Sequence, residues 1–149
     1  MLKADHRAGR WYGRKQFKAQ QRQVLERDCG VCQICNERLE TRKVGLGPEA
    51  VMVFHVHHWI CERFVRHFLK GANPHLLANL AAVHPSCHAR ATAAEKALFS
   101  GNWVGFVDAM RHIGVQPAIL TGALSSLSAD QEIKRARRIQ QKVKEQPCH

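Results

Sequence analysis

The chain has 149 residues, 45% of them hydrophobic, and a formal net charge of +11. That length and composition predict one folded domain with appendages and exclude a disordered polyelectrolyte. No apolar run reaches the roughly 18 residues that a membrane span needs, and the opening Met1-Leu2-Lys3-Ala4-Asp5-His6 lacks the apolar stretch of a secretory signal; the expectation is a cytoplasmic protein with no membrane partner. The charge excess lies partly at the two ends. Residues 1–30 carry eight Lys/Arg against three acids, and residues 129–149 carry six against three. Such a pattern suits a polyanion, of which nucleic acid is the commonest. Six cysteines in a reducing compartment point to metal binding rather than to a disulfide framework.

In chain order, residues 1–14 read as a basic flexible arm with Trp11 and Tyr12 among arginines. Residues 15–27 predict an amphipathic helix that ends near Asp28 and Gly30. Cys32-Gln33-Ile34-Cys35 follows as a knuckle between elements. Gly45-Leu46-Gly47-Pro48 is a turn, and residues 51–57 predict a strand, with residues around 39–44 as its partner. Residues 60–69 fit a short helix stopped by Gly71. Asn73-Pro74 then reads as a cap and first turn leading into Leu76–Leu80. A further helix is expected from about His88 to Phe99, broken by Gly101-Asn102. The stripe Trp103, Phe106, Val107, Met110 and Ile113 is core, closed by Gly114. Pro117 opens a short helix to about Leu127. Ser128 with Gln131 has the spacing of a capping box, which predicts a separate, basic helix over residues 129–145.

Two ligand pairs stand out. Cys32 and Cys35 form a C-x2-C pair, and His84 and Cys87 form an H-x2-C pair 49 residues after Cys35. A structural zinc takes four Cys or His ligands in a tetrahedron, and two close pairs on separate segments supply one. Cys29, Cys61 and Cys148 fall outside this pattern and read as small buried hydrophobes or spare thiols. The densest polar chemistry lies between Phe54 and His88. His57-His58 ends the expected strand, Asn79 precedes the second knuckle, and His88 directly follows Cys87.

Together, Cys32-x2-Cys35, Val56-His57-His58, Asn79-Leu80 and His84-Pro85-Ser86-Cys87-His88 resemble the HNH endonuclease family, as does the segment Val24 to Val31 that leads into the first knuckle. The resemblance spans residues 15–103, which become the nuclease domain, with 104–128 a helical extension and 129–149 a basic helix or tail. It implies an α+β fold: a small ββα-metal core stapled by a structural zinc (Zn2+) and flanked by helices on both sides. It also implies roles. His58 is the general base. His57 and His88 hold a catalytic divalent metal, Mg2+ or a transition metal. Asn79 orients the loop and the base, and Cys32, Cys35, His84 and Cys87 hold the zinc. The activity implied is metal-dependent cleavage of DNA, nicking or double-stranded.

Three features depart from the family's pattern. His84 stands where many members have Cys, Thr92 stands where some have a further metal-binding His, and the stretch from His58 to Asn79 is longer than usual. Around the site, His55 shares a strand face with His57 and either assists the metal or is a surface histidine. His67, His75 and His112 lack partners in the sequence and read as surface or capping residues. Arg90 is either a phosphate contact or a solvated arginine. Lys134, Arg135, Arg137 and Arg138 either contact the DNA backbone or form a solvated basic face. Two other readings remain: a zinc-stapled nucleic-acid-binding module without cleavage, and a structural zinc protein that docks onto a protein partner.

Overall fold

The computed structural model describes residues 15–43, 45–47 and 50–145. The expected basic arm over 1–14, Pro48 of the expected turn, and Cys148 lie outside the described residues. The protein is α+β, with five α-helices and two small antiparallel sheets among those residues. No helix there is long and apolar enough to cross a membrane.

The first helix, α1 (Lys15–Arg27), buries Phe17 and Val24, seven residues apart and so on one face of the helix. Cys29 and Gly30 follow in the left-handed region, at φ 54° and 67°, and reverse the chain. The reversal delivers residues 31–38 as a compact knuckle. Val31 pairs with Arg38, the Cys32 N–H donates to the Glu37 carbonyl at 2.8 Å, and the Asn36 N–H donates back to Cys32 at 2.9 Å. The Gln33 N–H reaches the Ala82 carbonyl at 3.0 Å, so the knuckle is tied to a distant strand.

The strand expected over 51–57 is two strands. β1 (Glu40–Lys43) pairs with β2 (Ala50–Val53), as the expected partner around 39–44 requires. The chain breaks at Phe54, and β3 (His55–His58) pairs instead with β4 (Leu80–Val83), in the register His55 with Val83, His57 with Ala81 and His58 with Leu80. Asn73-Pro74 was expected to cap a helical segment over Leu76–Leu80; only a 3-10 turn forms there, and Leu80 begins a strand. β4 is buried throughout, and its two alanines let other elements approach closely. Between these strands come α2 (Glu62–Phe68) and a 3-10 turn (Leu77–Asn79). After β4, α3 (Pro85–Phe99) starts three residues earlier than expected, with Pro85 in its first turn, where a missing N–H costs nothing. β3, β4 and α3 form the ββα unit. α1 packs on β4 and α3 on β3.

α4 (Trp103–His112) is capped by Asn102, whose side chain accepts from the Gly105 N–H at 2.8 Å. It buries Phe106 and Met110, and Gly114 ends the stripe at φ 108°, as expected. A Cβ on Gly114 would stand 2.6 Å from the Ile34 carbonyl oxygen, so the turn after α4 presses on the knuckle.

The last element is a correction. α5 (Pro117–Glu145) is one helix of 29 residues, not two. No Gly or Pro follows Gly122 within it, so nothing stops the helix at Ser128, and a serine is tolerated inside one. Nor is the segment after 129 a mere tail. The Asp130 carboxylate accepts from the Asn73 N–H at 2.7 Å, and the Gln131 amide donates to the Lys70 carbonyl at 3.3 Å.

One residue between elements ties the two halves together. Asp28 is buried, and its carboxylate accepts from the Ala82 N–H at 2.8 Å and from the Arg27 guanidinium at 2.8 Å and 3.1 Å. Arg27 in turn donates to the Leu77 and Leu80 carbonyls. Asp28→Ala should cost roughly 2–3 kcal/mol, the range for removing a charged acceptor from buried donors, and Asp28→Asn should cost less because one acceptor oxygen remains. Urea unfolding with an unchanged slope would read this. Equal midpoints for wild type and Asp28→Ala would show that the tie carries no stability.

Candidate metal centre and histidine site

The knuckle presents Cys32 and Cys35. The N-cap and first turn of α3 present His84 and Cys87. Their ligand atoms all lie within 4.8 Å of one another. His84 makes no side-chain cap to its helix, because its Nδ1 faces Cys35 Sγ at 3.2 Å. Its backbone N–H donates to Cys32 Sγ at 3.3 Å, and the Arg90 guanidinium donates to Cys87 Sγ at 3.1 Å. Burial pushes the Cys32 thiol up, but hydrogen bonds from the backbone of Cys35, His84 and Ile34 outweigh it and bring it to about 7. Burial and the neighbouring Cys32 and Cys87 push Cys35 up to about 11. Three sulfurs and an imidazole, fed by N–H donors and closed by a guanidinium, fit a metal cation. Arg90 is exposed and gives one of its donors to this cluster. Cys29 is exposed and Cys61 buried, both outside the group.

The histidines lie on the adjoining end of β3. His57 is 2% exposed, and its Nδ1 stands 3.2 Å from Nδ1 of His88, one residue past the Cys87 ligand. Its Nε2 is buried with no hydrogen-bond partner among the described residues. The two Nδ1 atoms are close enough to face one ion, while the orphaned Nε2 lies on the other side of the His57 ring. The Trp59 ring packs on His57 at 5.5 Å, and the His55 ring meets His88 at 5.0 Å. His55 is exposed, yet it belongs to this cluster rather than to open surface.

His58 points elsewhere. It is 8% exposed, and its Nε2 lies 3.0 Å from Nδ1 of His75. His75, read from the sequence as a surface or capping residue, is buried. Its Nε2 lies 3.8 Å from the Glu62 carboxylate, which Arg66 holds at 2.9 Å and 2.7 Å. His58, Glu62 and His75 offer ligand atoms within 4.8 Å of one another, a second group that could hold a metal ion. Sequence reasoning missed His75 and Glu62. The one available signal was the unusual length of the His58–Asn79 segment that carries them.

Asn79 is fully buried. Its Oδ1 accepts from the Ile60 N–H at 2.8 Å, and its Nδ2 donates to the Ile60 and Pro74 carbonyls, each at 2.9 Å. It pins the chain just after His58 to the chain just before His75. On α5, Lys134 pairs with Asp130 at 2.8 Å, while Arg135 and Arg138 join Lys70, Lys134 and Lys142 around one shallow hollow. Arg137 is exposed on the same helix.

Burial, followed by the charges of His88 and His58, pushes His57 down to about 3; burial, followed by His75, His88 and Arg66, does the same to His58. His75 and His88 are lowered too, chiefly by burial. The shifts of all four favour the neutral imidazole, which can donate from one ring nitrogen and accept at the other. No protein-family model, no curated protein and no solved structure matches the chain.

These shifts carry a stability signature. Between pH 6.5 and 3 the unfolded chain binds protons at His57 and His58 that the folded chain refuses. Stability is therefore full above pH 6.5 and falls as the pH drops, by about 1.4 kcal/mol per pH unit for each such histidine. In urea unfolding at pH 6.5, 5.5 and 5.0, His57→Gln should show a slope against pH shallower than wild type by about that amount. Parallel slopes would mean His57 is not buried neutral.

Proposed function

We propose that this protein is a metal-dependent endonuclease that hydrolyses phosphodiester bonds in DNA. The observation that carries the reading is the placement of His57 and His88, Nδ1 to Nδ1 at 3.2 Å, with His58 the next residue on β3, its ring against His75, and the Cys/His cluster directly before His88. A ligand pair alone would serve binding. A ligand pair beside a neutral, positioned imidazole serves hydrolysis.

The Cys32, Cys35, His84 and Cys87 group would hold Zn2+, since a Cys3His set in a closed tetrahedron is a structural zinc site. His57 and His88 would hold Mg2+ or a transition-metal ion. When bound, that ion supplies positive charge to the phosphate oxygens and the leaving 3′ oxygen. The chain does the rest. His58 takes a proton from a water molecule, and the resulting hydroxide attacks phosphorus. The bond from phosphorus to the 3′ oxygen breaks, and that oxygen leaves with a proton from a second water. The products are a 5′-phosphate and a 3′-hydroxyl. Burial keeps His58 unprotonated at neutral pH, and the phosphate it faces adds the negative charge that raises its proton affinity during the step. Asn79 fixes the backbone on both sides of this group. The hollow of Lys70, Lys134, Arg135, Arg138 and Lys142, with Arg137 nearby on α5, gives DNA phosphates a basic landing surface.

Cleavage of supercoiled plasmid with added Mg2+, Mn2+ or Zn2+ tests this. His58→Ala should slow cutting at least about 100-fold, the lower range for a general base, with DNA affinity nearly unchanged. His57→Ala and His88→Ala should weaken metal binding, so that cutting needs more metal, and excess metal should partly restore them. A wild-type rate for His58→Ala would remove His58 from the chemistry. No cutting by wild type with any of these metals, together with retained DNA binding, would leave a zinc-stapled binding module.

A further inference from the structure

We propose that His75 and Glu62 are positioning residues for His58: they hold it in one orientation and in one tautomer. This rests on the reading of His58 as the base and deepens it. Their shortest contacts run in a chain, although their ligand atoms also lie within 4.8 Å of one another. His58 Nε2 meets His75 on its Nδ1 side at 3.0 Å, while the Glu62 carboxylate lies on its Nε2 side at 3.8 Å. An imidazole between an imidazole and a carboxylate passes a preference along its ring. With the carboxylate at Nε2, His75 carries its proton there and turns the Nδ1 lone pair to His58. His58 then carries its proton on Nε2 and donates it to His75, which places its own lone pair on Nδ1. The nitrogen that takes the proton from water is thereby chosen. The charge that forms on His58 faces, through His75, the only carboxylate of this chain of three.

A cation shared by the three groups fits less well. The Glu62 Oε1 already accepts two bonds from Arg66, whose guanidinium brings a positive charge to the place an ion would occupy. The backbone around His75 is built to keep its ring in place. Its N–H donates to Asn73 Oδ1 at 3.0 Å, its carbonyl accepts from the Gln20 amide, and Asn79 holds the preceding Pro74 carbonyl at 2.9 Å. Asn79 also holds Ile60, two residues after His58, so a single side chain sets the spacing of the two histidines. α5 secures the same loop through Asp130 and Asn73. The long segment between His58 and Asn79 thus supplies a side chain that orients His58.

The test uses the full chain and two kinds of readout. The first is independent of activity. Imidazole nitrogen NMR of 15N-labelled protein should show His58 protonated on Nε2 in wild type, and should show that preference lost in His75→Leu. His58 protonated on Nδ1 in wild type would overturn the proposal. The second is single-turnover cleavage at saturating DNA. His75→Leu should lower the rate at least about 10-fold with DNA affinity unchanged, because a misoriented base loses rate rather than binding. His75→Asn, which returns an acceptor to the place of Nδ1, should recover most of that rate, and Glu62→Gln should fall between. In the His58→Ala background, His75→Leu should cost nothing further. If His58→Ala is crippled but His75→Leu cuts at the wild-type rate, this inference fails and the base assignment stands. If His58→Ala cuts normally, the base assignment fails, and the NMR result still decides the tautomer. Loss of a bound metal equivalent from both His75→Leu and Glu62→Gln would make the group a metal site and overturn the proposal. Should His75→Leu fail to fold, His75→Asn and Glu62→Gln carry the same comparison.

Discussion

Cys32 and Cys35 stand on a knuckle, and His84 and Cys87 stand 49 residues later at the start of α3. Bringing these four ligands together across that span is the constraint the rest of the structure depends on. It sets the knuckle against β4 through the Gln33 N–H and the Ala82 carbonyl, and it fixes the first turn of α3. His88 sits one residue past Cys87 and has no freedom of its own. Its distance from His57 follows from the β3–β4 register and the cluster together. A structural zinc in such a set contributes on the order of 10 kcal/mol to folding. That exceeds what any single apolar contact in so small a core supplies.

Around this staple the electrostatics run against the chain's overall charge. The protein carries a net +11, yet its central histidines are held neutral by burial. Among the described residues, α5 and Lys70 carry exposed positive charge, while three arginines have named partners: Arg27 with Asp28, Arg66 with Glu62, Arg90 with Cys87. Neutral imidazoles accept metals and protons; protonated ones do neither. In the proposed reading, burial therefore keeps these imidazoles ready to accept a metal or a proton, at the cost of stability in mild acid.

Much of this was legible in the sequence because it is local. The x2 spacings place ligands on tight turns, and His88 next to Cys87 inherits its position from that turn. The helices α1, α2 and α4 follow from apolar spacing, and the α+β class follows from their mixture with β-branched segments. What was not legible depends on distant pairing. β4 is four residues long and opens on a 3-10 turn, so its apolar run gives no period to read. Asp28 looks like a helix-end residue until Ala82, 54 positions away, donates to it. His75 has no neighbour in sequence to mark it, because Glu62 and His58 meet it only through the fold of an unusually long segment. The division expected at Ser128 failed for the opposite reason: a local capping pattern was present, but a helix with no Gly or Pro after Gly122 continued through it.

The staple is the claim from which the other placements follow, and metal content measured against folding tests it most directly. Protein purified without added metal is analysed for zinc, then treated with a strong chelator while circular dichroism follows its thermal transition. The account predicts one zinc per chain, loss of the cooperative transition when zinc is removed, and the same loss in Cys35→Ser. A zinc-free wild-type protein that still melts cooperatively would contradict it.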